Sequence, residues 1–204
     1  MPRPLLPTLA VALGLAPALA LACPADFEDS AAGLIVRYED GVTAHLTRDS
    51  DGMVTEEVRF APDSGDGYRV LALHGLFMVE DVDIEDGAEL ADSMERQSFP
   101  GGVGALPEPE PGLVWSGEVT VEIGDEDFTR QVFLGLGSRS EITFGGCEYE
   151  SWSATLRYSD DAGEEVLGYD YLPALGIALI RSSTDMDGAA DLYTPLSISR
   201  ADAD

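Results

Sequence analysis

Aspartate followed directly by glycine recurs at Asp40-Gly41, Asp51-Gly52, Asp66-Gly67, Asp86-Gly87 and Asp187-Gly188. This recurrence confines the chain to folds built on tight reversals. Aspartate tolerates left-handed backbone and glycine accepts positive φ freely, so the pair suits the primed turns that join antiparallel strands. The runs between these turns have period-2 character. Val42, Ala44 and Leu46 alternate with Thr43, His45 and Thr47. Trp115, Gly117, Val119, Val121 and Ile123 alternate with Ser116, Glu118, Thr120 and Glu122, the pattern of a half-buried strand.

Strands are expected at 33–39, 42–48, 53–60, 67–79, 113–123, 127–134, 140–144, 147–158, 165–171, 175–182 and 191–199. The run 67–79 is apolar on both faces and is expected to lie centrally. The best helical signal is a short turn at 88–96, where Leu90 and Met94 stand at i, i+4 spacing. The expected class is all-β: an antiparallel sandwich or a strongly curved half-barrel sheet with little helix.

Residues 1–22 carry one basic residue, Arg3, then an apolar stretch from Leu5 to Leu21 ending in Ala20-Leu21-Ala22. This is the pattern of a secretory signal peptide. The stretch is short of the ~20 apolar residues that a bilayer span needs and is interrupted by Pro7 and Pro17, so no membrane insertion is expected after cleavage. The chain from 23 to 204 is read as a single acidic all-β domain, periplasmic or secreted. Pro100, Pro107, Pro109 and Pro111, with Gly101, Gly102 and Gly104, make 97–112 an irregular connection within it.

The chain has two cysteines, Cys23 and Cys147. In an oxidising compartment they are expected to pair and hold the two halves as one unit. The lesser alternative is lipid attachment at Cys23, which would consume that sulfur and strand Cys147. Ala20 stands where such sites usually carry a large aliphatic residue.

The chain has 39 acidic and 11 basic residues, a net charge of −28. Every basic residue is arginine, and the absence of asparagine excludes the Asn-linked glycosylation motif. So negative a field repels nucleic acid and anionic lipid, and neither is an expected partner. Hydrophobic residues at 45% of the chain nevertheless provide for a core.

Catalytic patterns are sparse. His45 falls on the polar face of its strand, where it is expected to meet water. His74 lies within the apolar run 67–79 and is the one candidate for a hydrolase. Gly135-Leu136-Gly137-Ser138 lacks the spacing of a nucleophile elbow. Zinc is not expected, because its thiolate ligands are engaged. The acidic stretches Asp81–Gly87 and Asp185–Asp191 lack the calcium-loop pattern of glycine at position six and glutamate at twelve. No metal, cofactor or catalytic residue is therefore assigned.

The second half is rich in aromatic residues. Trp152, Tyr158 and Tyr169 are the candidate lining of a concave sheet. The chain is thus read as an exported, non-enzymatic binding or structural protein of the cell envelope, with an unknown protein or a small apolar ligand as partner. The alternative within that reading is a carrier that encloses the apolar ligand in its curved sheet.

Overall fold

The computed structural model describes residues 23–27 and 32–202; the leader 1–22 lies outside them. Fourteen strands form one antiparallel sheet. They are β1 (Leu34–Tyr38), β2 (Thr43–Arg48), β3 (Met53–Arg59), β4 (Gly67–Leu73), β5 (Phe77–Glu85), β6 (Ala88–Glu89), β7 (Glu95–Ser98), β8 (Val114–Ile123), β9 (Glu126–Phe144), β10 (Cys147–Asp160), β11 (Gly163–Leu172), β12 (Ile177–Thr184), β13 (Ala190–Leu192) and β14 (Pro195–Arg200). The path through the sheet is a meander from β1 to β13. The exceptions are β6, which pairs only with β5, and β14, which returns to pair with β1. The class is all-β and antiparallel, and the sheet curves until β2–β5 face β9–β12 across a hollow. Among the described residues no helix is long and apolar enough to cross a membrane.

The Asp-Gly pairs act through two devices. Gly41, Gly52, Gly87 and Gly188 all adopt positive φ, and Asp86 joins Gly87 at φ 50° to form a primed turn. Side chains lock two of the other turns. Asp49 Oδ1 accepts the Asp51 and Met53 amides at 2.9 and 3.0 Å, and Asp185 Oδ1 accepts those of Asp187 and Ala189 at 3.0 and 2.8 Å. Asp66-Gly67 differs. Gly67 lies inside β4, where any Cβ would collide with the Val58 carbonyl oxygen of the neighbouring strand.

Two elements depart from the sequence pattern. The run 67–79 is two strands, because His74 (φ 55°) and Gly75 (φ 68°) reverse the chain through a three-residue turn ending at Leu76. Leu76 and Phe77 keep the run apolar because both enter the core beyond the turn. Segment 88–96 is not helical. After the Asp86-Gly87 reversal, Ala88–Glu89 bridges β5, and Glu95–Ser98 then pairs with β5 and β8. The i, i+4 spacing of Leu90 and Met94 was coincidental, and Ser93 Oγ holds the loop by donating to the Leu90 carbonyl and accepting the Asp83 amide. The connection from Phe99 to Leu113 is irregular apart from a single 3-10 turn at Val103–Ala105.

Two apolar clusters fill the body. One gathers Leu34, Val36, Leu46 and Val54 with Leu172, Ile177 and Leu179. The other gathers Phe77, Val121, Leu134, Trp152, Leu156 and Tyr158. β12 belongs to both, since Ile177 and Leu179 face the first and Ala178 the second. Cys23 is bonded to Cys147 at a Cα separation of 5.6 Å and 124 residues along the chain. The bond ties the N-terminal segment, with buried Phe27 beneath Arg48, to the start of β10. A disulfide is at home in an oxidising compartment.

Replacing both cysteines by serine is expected to lower stability by about 2–5 kcal/mol, through restored freedom of the unfolded chain. Urea denaturation of the double variant beside the oxidised parent measures this. Leu134→Ala, which empties a fully buried site, is expected to cost roughly 2–5 kcal/mol in the same assay.

Candidate functional site

The site follows from strand register. Leu46, Glu56, Val70, Asp81 and Glu95 are directly opposite one another across β2, β3, β4, β5 and β7. Directly opposed residues project to the same face of a sheet. Leu46 is fully buried in the core, so the three carboxylates in its row also point inward. Asp81 and Glu95 are adjacent like charges, an arrangement that destabilises a sheet unless something offsets it.

These residues line a hollow of about 360 Å³ between the two halves of the sheet. Its apolar end is made by Leu46, Val54, Ala72, Leu76, Leu156 and Ala178. Tyr68, Tyr158 and Tyr169 form its walls, and Asp83, Glu95, Arg130 and Glu165 crowd the acidic end.

Arg130 neutralises part of this charge. Its Nη1 donates to Glu95 Oε1 at 2.9 Å and its Nε to Asp160 Oδ2 at 3.2 Å, while its guanidinium lies 5.5 Å from the Tyr158 ring centre. Glu95 Oε1 also accepts Gln97 Nε2 at 2.7 Å. Asp160 is held below the usual carboxylate range, first by the Ala162 amide and then by Arg130. Glu165 is pushed up by burial despite Arg130.

Neither Glu56 nor Asp81 has a cation bonded to it among the described residues, though the Val82 amide partly offsets the rise at Asp81. Among the described residues no side chain forms a hydrogen bond or ion pair with Glu56, and Asp81 Oδ1 is buried without a partner. Burial, with Asp81 adding repulsion, lifts Glu56 to about 7. Burial, with Glu95 and Asp83 adding to it, lifts Asp81 to about 6. Burial also raises the phenols of Tyr68, Tyr158 and Tyr169, which remain neutral hydrogen-bond donors. The arrangement presents two unneutralised carboxylates and three phenols to a partly open hollow. Its described lining includes no histidine.

Of the aromatic trio read from the sequence, Tyr158 and Tyr169 line this hollow and Trp152 does not. The Trp152 ring packs 5.4 Å from Tyr171, and its Nε1 donates to Glu150 at 3.0 Å. It sits in register with Tyr171, beyond the end of the hollow. Glu56 and Arg130 were missed, although each shares parity with apolar neighbours: Glu56 with Val54 and Val58, Arg130 with Phe128 and Val132. Asp81 had no comparable signal, because Val82 and Ile84 on the opposite parity of β5 are the buried pair.

His74 lies elsewhere, at the turn between β4 and β5, beside an open depression also lined by Arg48, Ser50, Asp51 and Glu108. Its Nε2 is 3.4 Å from Glu108, a largely exposed carboxylate, and burial holds its pKa down. No described serine is hydrogen-bonded to it; Ser50 donates instead to Asp51 at 3.3 Å. His45 does not simply meet water, since its Nε2 lies 2.7 Å from the Ala32 carbonyl oxygen.

No protein-family model matches the chain, and no curated protein matches it either. Among solved structures it is similar to the hypothetical lipoprotein YmcC from Escherichia coli (K12), with 10% identity and a TM-score of 0.42 over 80% of this chain and 86% of that one. At that level the likeness carries no argument about role.

Two outcomes follow from the charges. Arg130→Met leaves Glu95 and Asp160 without their cation and is expected to destabilise the fold by roughly 3–5 kcal/mol in chemical denaturation. Glu56 binds its proton more tightly folded than unfolded, so its contribution to stability is complete below about pH 4.5 and is lost as pH rises through about 7. Glu56→Gln is therefore expected to raise stability at pH 8 by up to about 3 kcal/mol and to leave it little changed at pH 4. Paired denaturation curves at the two pH values measure the difference.

Proposed function

We propose that this is an exported binding protein of the cell envelope, which takes a small ligand into the hollow of its curved sheet. The observation that carries the reading is a hollow of ligand size whose wall holds a buried, unpartnered Asp81 oxygen beside Glu56, which has no hydrogen-bond or ion-pair partner among the described residues. Buried polar groups are ordinarily satisfied, and a concave apolar space with a few convergent polar groups is the usual form of a small-molecule site. At about 360 Å³ the hollow exceeds twice the ~150 Å³ cavity that admits benzene. Export is supported by the leader pattern and by the disulfide. The bond to Cys147 occupies the Cys23 sulfur and supports a soluble exported form over a lipid-anchored one.

Val70 stands between Glu56 and Asp81 and lines the hollow, so Val70→Phe is designed to fill it. Native mass spectrometry of protein exported by its own host is expected to show a small organic adduct on the parent and none on V70F, with the fold of both verified by near-ultraviolet circular dichroism. Identical bare masses for both would contradict the binding reading. In the same spectra the chain is expected to begin at or near Cys23, with one disulfide and no acyl mass. A retained leader or a diacylglycerol adduct would overturn the assigned form.

A further inference from the structure

We infer that the ligand is an organic cation: an ammonium or guanidinium group carried on a compact apolar body. The inference rests on the binding reading above and specifies the chemistry of that same hollow. Glu56 is a half-buried side chain in the wall of the hollow with no hydrogen-bond or ion-pair partner among the described residues, and it shares its row with Asp81, whose Oδ1 is buried and unpartnered. A carboxylate withdrawn from water needs a proton or a positive charge beside it. The nearest cation in the lining, Arg130, is already held by Glu95 and Asp160. A ligand that carries a positive charge supplies what the lining does not.

A metal ion fits this place poorly. Among the described residues no three His, Cys, Asp or Glu side chains come together as a metal site, whereas calcium takes six to eight oxygens. Tyrosine rings suit an organic cation because their faces attract positive charge. Tyr68, Tyr158 and Tyr169 also supply neutral hydroxyls. The apolar end formed by Leu46, Leu76 and Leu156 accepts the uncharged part of the molecule. A chain of net charge −28 with Asp83, Glu95 and Glu165 in the lining of the hollow concentrates cations and repels anions.

The test uses the full exported chain and three probes of one shape and different charge: 2-phenylethylammonium, 2-phenylethanol and phenylacetate. Isothermal titration calorimetry at pH 8 is expected to rank them in that order, with no detectable binding of the anion. Glu56→Gln is expected to weaken the ammonium about tenfold or more and to leave the alcohol within about threefold of the parent. Asp81→Asn serves the same purpose should E56Q fail to fold. Equal binding of ammonium and alcohol, or equal binding by E56Q and the parent, would overturn the cationic inference and leave the hollow a binding site. Failure of all three probes to bind the parent at millimolar concentration, or binding unaffected by V70F, would overturn both.

Discussion

The register of β3 against β4, β5 and β7 is the constraint from which the site follows. Antiparallel pairing makes Glu56, Val70, Asp81 and Glu95 neighbours in one row, and the curvature of the sheet turns that row inward. A one-residue slip in any of these strands would send its carboxylate to the outer face. The register is held by the residues around it. Val54 and Val58 flank Glu56 in the core, and Val82 and Ile84 bury the other side of β5. On the outer face Arg69 bridges Glu80 and Glu89 at 3.0 and 2.7 Å. The fold thus enforces a placement of charge that the charges alone would resist.

Arg130 and the disulfide make that placement tolerable. Arg130 is the buried cation of the hollow, and by holding Glu95 it removes the worst of the repulsion facing Asp81. It leaves Glu56 alone. The Cys23–Cys147 bond acts at a distance, fixing the N-terminal segment against the start of β10 so that the long β9–β10 ribbon and the β1–β3 end of the sheet stay in one body. β12 contributes to both clusters at its start, where Ile177, Ala178 and Leu179 are buried on both faces.

Much of the architecture was legible because its signals are local. Asp-Gly turns and alternating strands need only neighbouring residues to be read, and from them followed an antiparallel all-β fold, a sandwich or a strongly curved sheet, of which the structure is the curved sheet. The failures have equally specific causes. The His74-Gly75 turn lay hidden because Leu76 and Phe77 continue the apolar run on its far side, and non-glycine residues seldom adopt positive φ. The bridge at Ala88–Glu89 exists only through pairing with β5, which no helical spacing reveals. Tyr158 and Tyr169 stood out as aromatic residues on a curved sheet. Trp152, chosen by the same argument, lies past the end of the hollow, because position along a strand depends on how far the sheet has turned. Glu56 carried a readable sign, a charge on an apolar parity, whereas Asp81 carried none.

The central claim is that Glu56 is a carboxylate drawn into the hollow of the sheet, with no hydrogen-bond or ion-pair partner among the described residues. Carbon-13 NMR of the labelled, ligand-free protein, with the Glu56 carboxyl resonance assigned by its loss in E56Q, tests this directly. The expected titration midpoint is about 7, against the ordinary glutamate value of 4.5. A midpoint at that ordinary value would mean that Glu56 is solvated or paired and that the hollow presents no unmet charge.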